Sequence, residues 1–136
     1  MRGRKPNLMA VDGGLAGVPP MPSHVHADME PEWNAVALDL QQRGLLADSM
    51  LGVLSTYVMA LWTARQAQAA IAEHGALVKG AHGALKPNPA AGMLSKSQEA
   101  IARLAAELGI TPASRSRKSL QPKESARDGA PTDLAI

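Results

Sequence analysis

DSMLGVLSTYVMALWTARQAQAAIAEH, residues Asp48–His74, holds no proline and a single internal glycine, Gly52. At ~1.5 Å of rise per residue such a run spans ~40 Å as one helix. Leu51, Leu54, Val58, Leu61, Arg65 and Ala72 follow the three-four spacing of one helical face, and Met50, Tyr57, Ala64 and Ile71 line the adjacent one. Apolar residues thus wrap past the ~100° stripe that a helix in a two-layer protein needs. Asp48 can serve as N-cap or first-turn acid, and Gly75 is a stop signal. A helix this apolar has to be covered on several sides. The chain around it is short, so part of the cover is expected from another copy.

At 136 residues the chain has room for one domain at most. Cysteine is absent, which removes disulfides and thiolate metal sites and suits a reducing compartment. No apolar run reaches the ~18 residues of a membrane span, because Arg65 and polar residues interrupt the best candidate. The basic N-terminus is not followed by a signal-peptide core. There is no phenylalanine and one tyrosine, so the core must come from Leu, Ala, Val, Met and two tryptophans. That composition favours close helix packing over a sheet sandwich.

The net charge of +2 conceals a segregation. Residues 31–110 hold six basic side chains against six acids, residues 1–6 hold three positive charges, and residues 111–127 hold five against one acid. A neutral middle with basic ends suits phosphate contact at the ends, although solubilising tails have the same composition.

In chain order, residues 1–29 read as a disordered, basic, Pro/Gly-rich arm, residues 30–110 as a helical oligomerisation core, and residues 111–136 as a short basic turn with a disordered tail. His24 and His26 alternate as a metal pair could, but no acid or sulfur is placed to complete a site, and linker histidines are the simpler account. A first helix is expected from near Pro31 to Gly44, with Trp33, Val36, Ala37 and Leu40 on one face. Trp33 could stack on a base, but its place on that face makes it a core anchor. The tight Leu45–Ala47 turn then sets the first two helices as an antiparallel hairpin. Next, Ala76–Val78 and Ala84–Leu85 flank Gly80-Ala81-His82-Gly83, which reads as a small β-hairpin with His82 at its solvent-facing tip. Asn88-Pro89 starts a third long helix, with Leu94, Ile101, Leu104, Ala105 and Leu108 on its buried face and Gly109 as its cap.

Glu107-Leu108-Gly109-Ile110-Thr111-Pro112-Ala113-Ser114-Arg115-Ser116-Arg117 resembles the ELGLTPSSRSR signature that closes one family of tailed-phage terminase small subunits. Arg2-Gly3-Arg4-Lys5-Pro6 is similar to the family's opening motif. Trp33, the Gly44-Leu45-Leu46 turn with Asp48, Tyr57, the glycine-centred hairpin and the proline before the last helix fall in the same order. The chain departs from the pattern before Trp33, where a basic Gly-Asn-Pro-Gly-like segment is missing, and at Ala47, where threonine is common.

The resemblance implies a mainly α protein that forms a ring-shaped homo-oligomer, binds double-stranded viral DNA and regulates the terminase large subunit in the cytoplasm of the infected bacterial host. It implies no enzyme activity and no cofactor. The residues agree: there is no Walker-type loop, no paired carboxylates at metal spacing, and no nucleophile with a base. Arg2, Arg4, Lys5, Arg115, Arg117 and Lys118 are the expected DNA contacts; Leu54, Val58, Leu61 and Trp62 are the expected subunit interface. Two other classes fit the same composition. One is a small DNA-binding regulator with a helix-turn-helix near Trp33–Asp48; the other is a structural connector or adaptor.

Overall fold

The computed structural model describes residues 17–112. Helix α1 (Glu30–Gln42) leads into α2 (Asp48–His74); strands β1 (Leu77–Lys79) and β2 (Leu85–Pro87) follow, and α3 (Pro89–Leu108) completes the described elements. The fold is mainly helical with a small antiparallel hairpin, as the periodicity predicts. A short 3-10 turn, Ala27–Met29, precedes α1.

Local chemistry sets the element ends. Pro31 sits in the first turn of α1, where its missing N–H costs no hydrogen bond. Ala47 caps α2 with no side-chain bond, so Asp48 acts as first-turn acid and not as cap. Asn88 caps α3 through Oδ1, which accepts from Ala90 N at 2.9 Å. At the far end Gly109 takes φ 74°, and Ile110 N donates to Ala105 O at 3.0 Å. That left-handed turn folds Ile110 back onto the core.

The core gathers Trp33, Ala37 and Leu40 of α1, Leu54 and Val58 of α2, Leu108 of α3, and Val25, Met29 and Leu46 from the connections. One expectation changes here. Residues 17–29 read as part of a disordered arm, but the chain is folded onto the helices from Pro19 onward, with Val25 3% and Met29 0% exposed. Met21, Val25 and Met29 recur every fourth residue and all face the core. Also, α1 does pack on α2, but the more extensive partner of α2 is α3. Beside Leu54, Val58, Leu104 and Leu108, these two helices bury small residues: Ser55 and Ala67 on α2; Ala90, Ser97 and Ala105 on α3. Small side chains let helix axes approach to the lower end of the usual ~8–10 Å range.

The β-hairpin connects α2 to α3 and reverses the chain. Its turn closes with Gly80 N donating to Ala84 O at 2.7 Å, and Gly83 takes φ 85°. Asn88 ties the base: its Nδ2 donates to Gly75 O at 2.8 Å and its backbone N–H to Ala76 O at 2.8 Å. The hairpin therefore stands at the C-terminal end of α2, away from the core, which gathers at the N-terminal half of that helix.

Candidate functional site

The expected DNA contacts Arg2, Arg4, Lys5, Arg115, Arg117 and Lys118 all lie outside the described residues, as does the basic turn expected after Pro112. What the structure places is where the chain enters and leaves. Trp33 Nε1 donates to Pro19 O at 2.9 Å, which holds the first described residues against α1. Ile110 packs against the same core as Leu108 and Leu54. Both exits thus belong to the half of the molecule that holds α1 and the core. The hairpin belongs to the other half.

Of the four residues expected at a subunit interface, Leu54 and Val58 are 0% exposed within one chain. A side chain with no free surface has nothing to give a neighbour, so these two serve the protomer's own core. Leu61 and Trp62 keep partial exposure and border that core. Periodicity alone could not separate the pairs, because it shows that a face is apolar but not which chain covers it.

Trp62 forms one wall of an open cleft of about 730 Å³ between α2 and the 21–27 segment. Met59, 36% exposed, and Thr63 line it from the helix; Met21, Val25 and His26 line it from the segment. The His26 ring stacks on the Trp62 indole with centroids 3.8 Å apart and planes 14° from parallel. Its Nδ1 accepts from Asp28 N at 3.1 Å and so caps the 3-10 turn. A histidine that reads as a linker residue thus pins the segment to α2. The four-residue spacing of Met21, Val25 and Met29 was the signal that this stretch packs.

Arg65 lies on the apolar face of α2, one turn beyond Leu61. Its guanidinium donates to the Glu32 carboxylate and, at 3.3 Å, to the Met29 sulfur. The Arg65 hydrogen bond, aided by its charge, holds Glu32 below its ordinary pKa although partial burial pulls the other way. Burial also pushes the Tyr57 hydroxyl above its ordinary value.

The described body is electrically polar. Residues 27–48 carry five carboxylates, Asp28, Glu30, Glu32, Asp39 and Asp48, against Arg43 alone. The hairpin segment 75–87 carries Lys79 and Lys86 and no carboxylate. Among the described residues no group of three or more His, Asp or Glu is arranged to hold a metal ion, and no helix is long and apolar enough to cross a membrane.

A family model described as "Phage terminase, small subunit" matches residues 30–125, most of the chain. No curated protein and no solved structure matches it.

Proposed function

This chain belongs to the phage terminase small-subunit family, which places it in phage genome packaging, and from that premise we propose that it binds the viral DNA as a non-catalytic ring and presents it to the large subunit. Arg2, Arg4 and Lys5 at one end of the chain, and Arg115, Arg117 and Lys118 at the other, make the phosphate contacts. The observation that carries this reading is that both exits from the described body, near Pro19 and Ile110, share the half that holds α1. Both basic segments can then reach one DNA duplex from one side.

Each protomer makes only a few such contacts. Repetition around a homo-oligomer multiplies them into useful avidity. Leu61 and Trp62 supply apolar surface for that assembly, and the large subunit, which carries the ATPase and nuclease, works beside it in the host cytoplasm. Phosphate contacts carry no sequence information. A preference for the packaging start therefore comes from contacts to base edges or from DNA bending around the assembly.

Replacing Arg115 and Arg117 by alanine tests the assignment. DNA affinity should fall, and the slope of log affinity against log salt should flatten by about 0.9 for each phosphate contact removed. Native mass spectrometry of the same variant should show the oligomer unchanged. An unaltered salt titration would remove the C-terminal segment from the DNA contact.

A further inference from the structure

The hairpin has an apolar face with nothing on it. Leu77 pairs with Pro87 and Lys79 with Leu85 across the two strands. Residues directly opposite on antiparallel strands share a face. Leu77, Leu85 and Pro87 therefore stand on one side, together with Lys79. Leu77 is 55% and Leu85 64% exposed, the most exposed large apolar side chains among the described residues. A two-stranded sheet is marginal without cover. The same chain offers a complementary surface elsewhere. The Met59–Trp62 cleft offers Met21, Val25, Met59 and Trp62 beside the polar Ser23, His24, His26 and Thr63, and the exposed carboxylates of Asp28 and Glu30 follow directly on the segment that lines it.

We propose that the β-hairpin of one copy docks into the Met59–Trp62 cleft of the next. Leu77 and Leu85 enter the cleft, and Lys79, which shares their face of the hairpin, meets Asp28 and Glu30. The hairpin cannot serve its own cleft: between Trp62 and His74 runs unbroken helix, ~18 Å of rigid spacer. Because hairpin and cleft are different surfaces, the contact is heterologous. Each docking event leaves one hairpin and one cleft free, so copies add in one direction and close into a ring when the rotation allows. This inference deepens the proposed assembly and rests on it.

The full chain has no cysteine, which makes site-specific crosslinking direct. Met59→Cys and Leu85→Cys each change an exposed side chain and leave the core intact. Mixed as differently tagged proteins and treated with a short bis-maleimide, they should give a crosslinked heterodimer, while neither protein alone gives a product. No heterodimer from the mixture, or self-crosslinking of either variant, would overturn the docking. Native mass spectrometry separates the levels of failure. A monomeric unsubstituted chain sinks the assembly reading itself; an oligomer that persists in Leu77→Ser/Leu85→Ser sinks only the hairpin contact. Charge reversal adds a second test: Lys79→Glu should loosen the oligomer by about tenfold, and adding Asp28→Lys/Glu30→Lys should restore it. Failure of that restoration counts against the pairing.

Discussion

Arg65 reaches back from the middle of α2 to the Glu32 carboxylate, 33 residues earlier in the first turn of α1. The pair joins the start of α1 to the middle of α2, beside the core packing of Trp33, Ala37 and Leu40 on Leu54 and Val58. Arg65 also touches the Met29 sulfur, so the 3-10 turn, α1 and α2 meet at one guanidinium.

A pH dependence follows. Arg65 lowers the Glu32 pKa, so the folded state favours the carboxylate more than the unfolded chain does. Stability from this pair is fully present above the ordinary value of 4.5 and is lost as pH falls through the lowered one. The Arg65 side chain is 51% exposed, and solvent screening limits the pair to about 0.5 kcal/mol or less. Thermal melts of the native chain and Glu32→Gln should differ slightly at pH 7 and converge as pH falls below 4.5. A difference that grew toward acid would contradict the sign.

Trp33 makes a larger and different contribution. It is 1% exposed, and its indole N–H holds Pro19. Trp33→Ala should cost about 3–5 kcal/mol, enough to threaten the fold. Trp33→Phe keeps much of the packing and leaves the Pro19 carbonyl without its donor, costing about 1–2 kcal/mol. Urea midpoints of the two variants should rank in that order. In Trp33→Phe, Trp62 becomes the remaining tryptophan, and its emission then reports on the His26 stack.

Ala47 gives a prediction of gain. It caps the longest helix with extended backbone angles, φ −144° and ψ 165°, and offers no side-chain acceptor. Serine or threonine there can accept from the first free N–H groups of α2 and should stabilise the chain by about 1 kcal/mol. A raised urea midpoint with an unchanged slope would show it; an unchanged midpoint would mean those N–H groups are already satisfied.

Much of this architecture was legible in the sequence because its punctuation is local. Gly44, Gly75 and Gly109 end the helices, all at positive φ, and Asn88-Pro89 starts the last one. The hairpin strands fell within a residue or two of their expected places. What the sequence hid was which surface covers which. Pro19, Pro20 and Pro22 make the stretch before α1 look unfoldable, yet Val25 and Met29 are core residues. Leu54 and Val58 looked surplus to one chain because α2 is apolar on more than one side. In fact α1 and Leu108 cover them. The DNA contacts expected at Arg2, Arg4, Lys5, Arg115, Arg117 and Lys118 lie outside the described residues, so that part of the site still rests on charge and motif.

The α2–α3 contact makes the last prediction, and it separates packing from propensity. Ala67 is 1% exposed, while Ala69, two residues on, is exposed. Alanine and leucine differ little in helix propensity, so Leu in either place leaves the helix itself nearly unaffected. At position 67 the added carbons must push α3 away or take a poor rotamer, costing about 1–3 kcal/mol. At position 69 they project from an exposed site and should change stability by less than about 0.5 kcal/mol. Urea denaturation of Ala67→Leu and Ala69→Leu measures the contrast. Equal midpoints would mean that α3 does not approach α2 closely enough for small residues to matter, and the pairing of the two long helices would then need another explanation.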